Sequence, residues 1–249
     1  MLEITNLTKT FNPGTVNEKT ALDGLNLSIA DGDFVTVIGG NGAGKSTMLN
    51  AIAGVWKPDQ GSIKIDGVDV THMPEHKRAQ FLGRVFQDPM MGTAPDMEIA
   101  ENLGIAARRG TKRRFVWGVR KAEREEYKKL LATLELGLES RLSAKVGLLS
   151  GGQRQALALA MVFMRPQKLY LLDEPSAGLS PKAAKDIIER VRCFAKEDAK
   201  RAVLMVEHRL DLLAWIDRAV FLSQGKVRSE TSDAGQFLDA DWLAKNYFE

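Results

Sequence analysis

Nine consecutive residues, Gly39-Gly40-Asn41-Gly42-Ala43-Gly44-Lys45-Ser46-Thr47, concentrate chemistry-bearing types at a telling spacing. They fit the pattern GxxxxGK[ST] of a phosphate-binding loop. Four glycines let the backbone curl so that successive N–H groups form an anion nest. The apolar run Phe34 to Ile38 leads in as a buried strand, and a helical pattern from Ser46 to Ala53 follows. The helix N-terminus adds its partial positive charge to the nest. A nucleoside triphosphate is the expected occupant, with Lys45 reaching its β- and γ-phosphates and the Ser46 hydroxyl binding Mg²⁺. A bare glycine-rich turn is the plain alternative, and the strand and helix on either side count against it.

Two further stretches have the right chemistry to complete such a site. Leu169 to Leu172 is an apolar run ending in Asp173-Glu174. A buried strand there delivers two carboxylates to a sheet edge, Asp173 to hold Mg²⁺ and Glu174 to polarise an attacking water. Two acidic residues at a strand end are common, so the pair gains its meaning from Lys45 and Ser46. In Leu149-Ser150-Gly151-Gly152-Gln153, Ser150 sits where an N-cap belongs and the glycines leave backbone N–H groups bare at a helix start. That is a second anion cradle. His208 follows the apolar run Val203 to Val206 and could face the same sheet edge. By itself it would be an ordinary core or surface histidine.

These residues need an α/β frame. Alternation at Leu25, Leu27 and Ile29 marks a half-buried strand. With Leu2, Ile4 and Leu7 and the turn Asp31-Gly32-Asp33, it suggests a small antiparallel sheet beside the main one. Ser62 to Ile65 reads as a strand, 74–82 as a helix and 83–87 as a strand. From about Asp88 to Met164 helical runs dominate (98–107, 121–134 and 153–164), the mark of a helical insertion. Strands at 168–172, 202–206, 218–222 and 226–229 then alternate with helices at 181–196 and 210–216. That order predicts a mostly parallel sheet with right-handed crossovers. The expected organisation is one domain over 1–249. A core with its β subdomain covers 1–87 and 165–230, the helical insertion covers 88–164, and a helical tail covers 231–249.

Composition narrows the class. The chain has 249 residues, 44% of them hydrophobic and 27% charged, which suffices for a substantial core. A net charge of +3 is too small to imply wholesale nucleic-acid binding, so nucleic acid is not an expected partner. The single Cys193 cannot form an internal disulfide and reads as a small buried or half-buried helix residue, in a cytosolic chain. The start lacks signal-peptide character, and no apolar run approaches the ~20 residues that span a bilayer. Any service to a membrane would pass through a partner. The basic run of Arg108, Arg109, Lys112, Arg113, Arg114, Arg120 and Lys121 reads first as a solvated connection, with anionic lipid or nucleic acid as the sharper alternatives.

Taken in order and spacing, these motifs resemble the ATP-binding cassette ATPases, the nucleotide-binding subunits of ABC transporters, from Leu2 to about Ser229. The resemblance implies a P-loop NTPase core with an antiparallel β subdomain and an inserted α-helical subdomain. It matches Phe11 to the aromatic that stacks on adenine, although a core aromatic is the bland reading. It matches Gly39 to Thr47 to Walker A, Gln87 to a glutamine that contacts Mg²⁺ and water, and Leu149 to Gln153 to the signature. Asp173 and Glu174 match Walker B, 176–180 the D-loop, and His208 the residue that senses the γ-phosphate. The D-loop departs from the family at Ser180, where Asp is usual, and Phe11 stands for the more usual Tyr.

The resemblance further implies two ATP molecules sandwiched head to tail in a homodimer, so that Ser150, Gly151, Gly152 and Gln153 face the partner's nucleotide. Integral membrane permease subunits and, indirectly, a solute-binding protein are the implied partners, on the inner face of the cell membrane. Residues 11–102 look like cassettes of an aromatic-amino-acid or poorly characterised solute importer group. Residues 174–181 and 206–208 look like those of branched-chain amino-acid importers. A soluble ATPase of the iron–sulphur assembly type and a nucleic-acid-linked ATPase are the alternatives.

Overall fold

The computed structural model describes residues 1–109 and 118–233. The expected tail from 234 onward, and Lys112, Arg113 and Arg114 of the basic run, lie outside the described residues. The chain divides into two units. One comprises 1–84, 167–174 and 188 onward, and the other 85–166 and 175–187.

The first unit carries most of two sheets. Strand β1 (Leu2–Phe11) pairs antiparallel with β2 (Lys19–Ile29) and with β4 (Gln60–Ile65), which pairs with β5 (Val68–Asp69). The turn between β4 and β5 is Asp66-Gly67, both at positive φ, as a two-residue hairpin of the right twist requires. The second sheet has the order β10-β9-β3-β8-β7-β6. Here β3 (Phe34–Ile38), β7 (Leu169–Asp173), β8 (Ala202–Val206) and β9 (Arg218–Ser223) run parallel, while β10 (Lys226–Thr231) is an antiparallel edge. The other edge is β6 (Leu82–Val85). Every residue of β3, β7 and β8 is buried, which is why these strands read as continuous apolar runs.

Helix α1 (Lys45–Ala53) packs between the sheets. Its Met48, Leu49 and Ile52 share one cluster with Leu27, Ile29, Ile63 and Ile65 of the antiparallel sheet and with Val35, Val37, Leu169, Leu171 and Leu204 of the parallel one. It ends at Gly54, at φ 88, whose N–H donates to Asn50 O and Ala51 O. Beyond it, Arg78 closes the short helix α2 (Glu75–Arg78). Its guanidinium is 1% exposed and donates to Ala51 O, Ile52 O, Thr71 O and Met73 O at 2.7–2.9 Å.

The second unit builds its own core from α3 (Ile99–Ala107), α4 (Lys121–Ala132) and α5 (Gly151–Phe163). Ile99, Leu103, Tyr127, Leu131, Leu138, Val146 and Leu157 form that cluster. The long helix α6 (Pro181–Lys196) has a buried stripe of Ala184, Ile187, Ile188, Val191 and Ala195 at helical spacing.

Several expectations are corrected. The turn at 31–33 does not join two strands of one sheet: β2 belongs to the antiparallel sheet and β3 to the parallel one. The helix expected over 74–82 shrinks to four residues, because Arg78 turns inward and Phe81 bends back to donate to Arg78 O. The strand expected to reach Gln87 stops at Val85. The segment at 210–215 is a 3₁₀ helix. Cys193 is exposed, since two residues past Val191 is some 200° around the helix and away from the buried stripe.

Candidate functional site

The parallel strands place the site at their C-terminal ends. From β3 the chain runs into Gly39, from β7 into Glu174, from β8 into Glu207-His208 and from β9 into Gln224-Gly225. Register fixes these ends against each other. Val37 and Asp173 both pair with Val206, and Ile38 pairs with Phe221. In open α/β sheets this carboxyl edge is where ligands bind.

Backbone packed close behind the loop shapes it. Gly44 stands at φ 107, and a Cβ there would meet Ala21 O at 2.5 Å; one on Gly39 would collide with Leu222 O. The Gly225 N–H donates to Ala43 O at 2.9 Å and braces the loop from the β9–β10 turn. Gly39, Ala43 and Gly44 are buried, whereas Gly40, Asn41, Gly42 and Ser46 are exposed and Thr47 is half-buried. The front is thus open and the back closed.

Lys45 is 7% exposed and donates from Nζ to Gly39 O at 2.6 Å and to Gly40 O at 3.0 Å. Burial lowers its pKa, and the charges of Glu174 and Asp173 work against that. Asp173 ends β7 and is also 7% exposed. Burial raises its pKa; Arg84 and Lys45 pull it down, and Glu174 pushes it up. Glu174 turns out of the strand at φ 45, in the left-handed region, with its N–H donating to Val206 O. Its Oε1 lies 2.8 Å from Nε2 of His208. His208 is held in turn, because its N–H donates to Oε1 of the buried Glu207.

Lys45, Asp173, Glu174 and His208 therefore gather in the first unit. So does Phe11, which ends β1 edge-to-face with Trp56 at 5.4 Å between ring centroids. Gln87 is exposed and belongs to the second unit, as do Ser150, Gly151, Gly152 and Gln153. Within that unit Ser150 is the N-cap of α5. Its Oγ accepts from Gln153 N–H, while Gln153 Oε1 accepts from Ser150 N–H, each at 3.3 Å. A Cβ on Gly152 would touch Leu179. Arg84 went unread in the sequence. It donates to Asn50 Oδ1 of α1 at 2.8 Å and its charge reaches Asp173. Nothing in a basic residue within an apolar strand announces that approach.

A magnesium–polyphosphate fits this arrangement. The loop's front is open, the buried ammonium is bonded among the described residues only to loop carbonyls, and Asp173 is a carboxylate whose burial disfavours its charge until a cation arrives. Ser46 and Asp173 are the oxygen donors suited to Mg²⁺, which would neutralise charge on the phosphate oxygens.

The parallel sheet, the glycine loop at its carboxyl edge and the acidic strand end define a P-loop nucleoside triphosphatase. The chain belongs to the ABC transporter family, whose model matches residues 22–177. It is an ATPase that uses ATP with Mg²⁺. A tyrosine transport ATP-binding protein of Clostridioides difficile is 39% identical over 94% of this chain and 92% of that protein. The thiamine import ATP-binding protein ThiQ of Vibrio cholerae is 34% identical over 82% of this chain and 81% of its own length. Among solved structures, the ATP-binding cassette MJ0796, dimeric in a post-hydrolysis state with ADP and Pi, superposes with a TM-score of 0.81. It is 30% identical, and the match covers 93% of this chain and 98% of that one.

Proposed function

We propose that this chain energises an ABC importer of amino acids or a similar small solute, working as a head-to-tail homodimer under integral membrane permease subunits fed by a solute-binding protein. The observation that carries the reading is the near full-length similarity to a tyrosine transport subunit. Among the described residues no helix is long and apolar enough to cross a membrane, and in this reading permease subunits supply the transmembrane path.

In this reading Lys45 and the loop N–H groups hold the phosphates and Ser46 and Asp173 hold Mg²⁺, with Gln87 alongside. Glu174 takes the proton of the attacking water while His208 orients Glu174 and contacts the γ-phosphate. The 2.8 Å Glu174–His208 contact supports that pairing. Phe11 stacks on the adenine. Ser150, Gly151, Gly152 and Gln153 close the partner's nucleotide. Catalysis is then mainly positioning and charge stabilisation.

Purifying the tagged chain from its own membranes tests the reading. A permease should copurify, and the complex in liposomes with its solute-binding protein should take up amino acids, aromatic ones foremost, only with ATP inside. Copurification with iron–sulphur assembly proteins, or hydrolysis stimulated by DNA or RNA in a salt-sensitive way, would overturn it.

A further inference from the structure

We propose that Lys19 is a second cation of the phosphate-binding loop, reaching the phosphate chain of the bound nucleotide from the loop's exposed rim. Lys19 opens β2 and is the cross-strand partner of Phe11. Directly opposed residues of an antiparallel pair project from the same face. The Lys19 ammonium lies 3.5 Å from where a Cβ on Gly42 would stand, against the open front of the loop. Gly42 is exposed and has φ 82, so bare backbone, not a side chain, meets the ammonium.

Other lysines nearby are bonded to carboxylates, Lys9 to Asp59 and Lys226 to Asp23, each at 2.8 Å. Among the described residues no hydrogen bond or ion pair engages the Lys19 ammonium. A long side chain loses rotamer freedom when its tip is held in one place, and an ammonium gains little from resting on a glycine. A phosphate oxygen seated in the nest supplies the missing partner. Lys45 then approaches the phosphates from the buried side and Lys19 from the solvent side. Because Lys19 is exposed, its share is modest and falls with salt.

The inference rests on ATP binding and not on any transported solute, so failure of the permease experiment leaves it intact. Calorimetric titration of wild type, Lys19→Met and Lys19→Glu with ATP, at low and high salt, tests it. Lys19→Met keeps the stem and removes the charge, and should weaken ATP binding about fivefold at low salt. Lys19→Glu should weaken it further, and both gaps should narrow at high salt. The nucleotide-free melting temperatures of all three should coincide. Lys19→Glu binding ATP within about twofold of wild type overturns the proposal. So does a loss of affinity matched by a lowered melting temperature, which would give Lys19 a structural role.

Discussion

Asp59 shows how a single exposed carboxylate supports the end of β1 that carries Phe11. Its Oδ1 accepts from Lys9 Nζ at 2.8 Å and its Oδ2 from the Thr10 N–H at 2.7 Å, one residue before Phe11. The Lys9 bond, then the Thr10 N–H, hold this carboxyl below the ordinary range. The folded chain therefore binds that proton less tightly than the unfolded one. The stabilisation is present above the ordinary aspartate value and is lost as pH falls through the lower, folded one. Since the carboxylate is largely solvated, Asp59→Asn should cost under ~1 kcal/mol near neutral pH, with the gap to wild type closing in acid. Denaturant melts across pH check this. At this scale the site was unevenly legible. Lys45, Asp173 and Glu174 announce themselves through local patterns, because loop, strand and carboxylate are contiguous in sequence. Arg84 and Lys19 do not, because only tertiary approach brings them to Asp173 and Gly42.

At the scale of elements, α1 is fastened at both ends by electrostatics. Its N-terminus opens onto the loop, and its C-terminal carbonyls at Ala51 and Ile52 are taken by the buried Arg78. Gly54 is required beneath that guanidinium, since a Cβ there would lie 2.7 Å from Arg78 Nε. Arg78→Leu removes the donor from four carbonyls, strands the buried ones at Ile52 and Thr71, leaves Ala51 O with only the Gly54 N–H, and should destabilise the protein by about 3–5 kcal/mol. Chemical denaturation reads the loss directly, and a change below about 1 kcal/mol would mean that water replaces the guanidinium. Strands buried on both faces were readable: β3 and β8 fall where the apolar runs place them, and β7 lies one residue along. The half-buried β1 and β2 were longer than their alternation suggested. Register shifts along β1, with Asn6 at positive φ, break the period of two that would have revealed them. The helix expected over 74–82 failed for the opposite reason: its polar pattern hid an arginine that the core recruits.

For the molecule as a whole, the two halves of the expected chemistry fall in different units of one chain. Lys45, Asp173, Glu174 and His208 sit in one and the signature at Ser150 in the other. If a second copy closes each nucleotide, hydrolysis and dimer lifetime are one observable. Glu174→Gln should slow hydrolysis by about 10²–10⁴-fold and leave an ATP-bound dimer that persists through size-exclusion chromatography with light scattering. A monomeric variant in excess ATP, or one that still turns over normally, would remove Glu174 from the role of base.

The left-handed turn at Glu174 carries one more consequence. A side chain at φ 45 costs on the order of 1 kcal/mol that glycine would not incur. Folding stability alone would select glycine or asparagine at this position. The chain keeps a glutamate there, and on the role of base proposed for Glu174, position 174 trades stability for activity. Screens that reward only heat resistance should drift toward inactive proteins at this residue first.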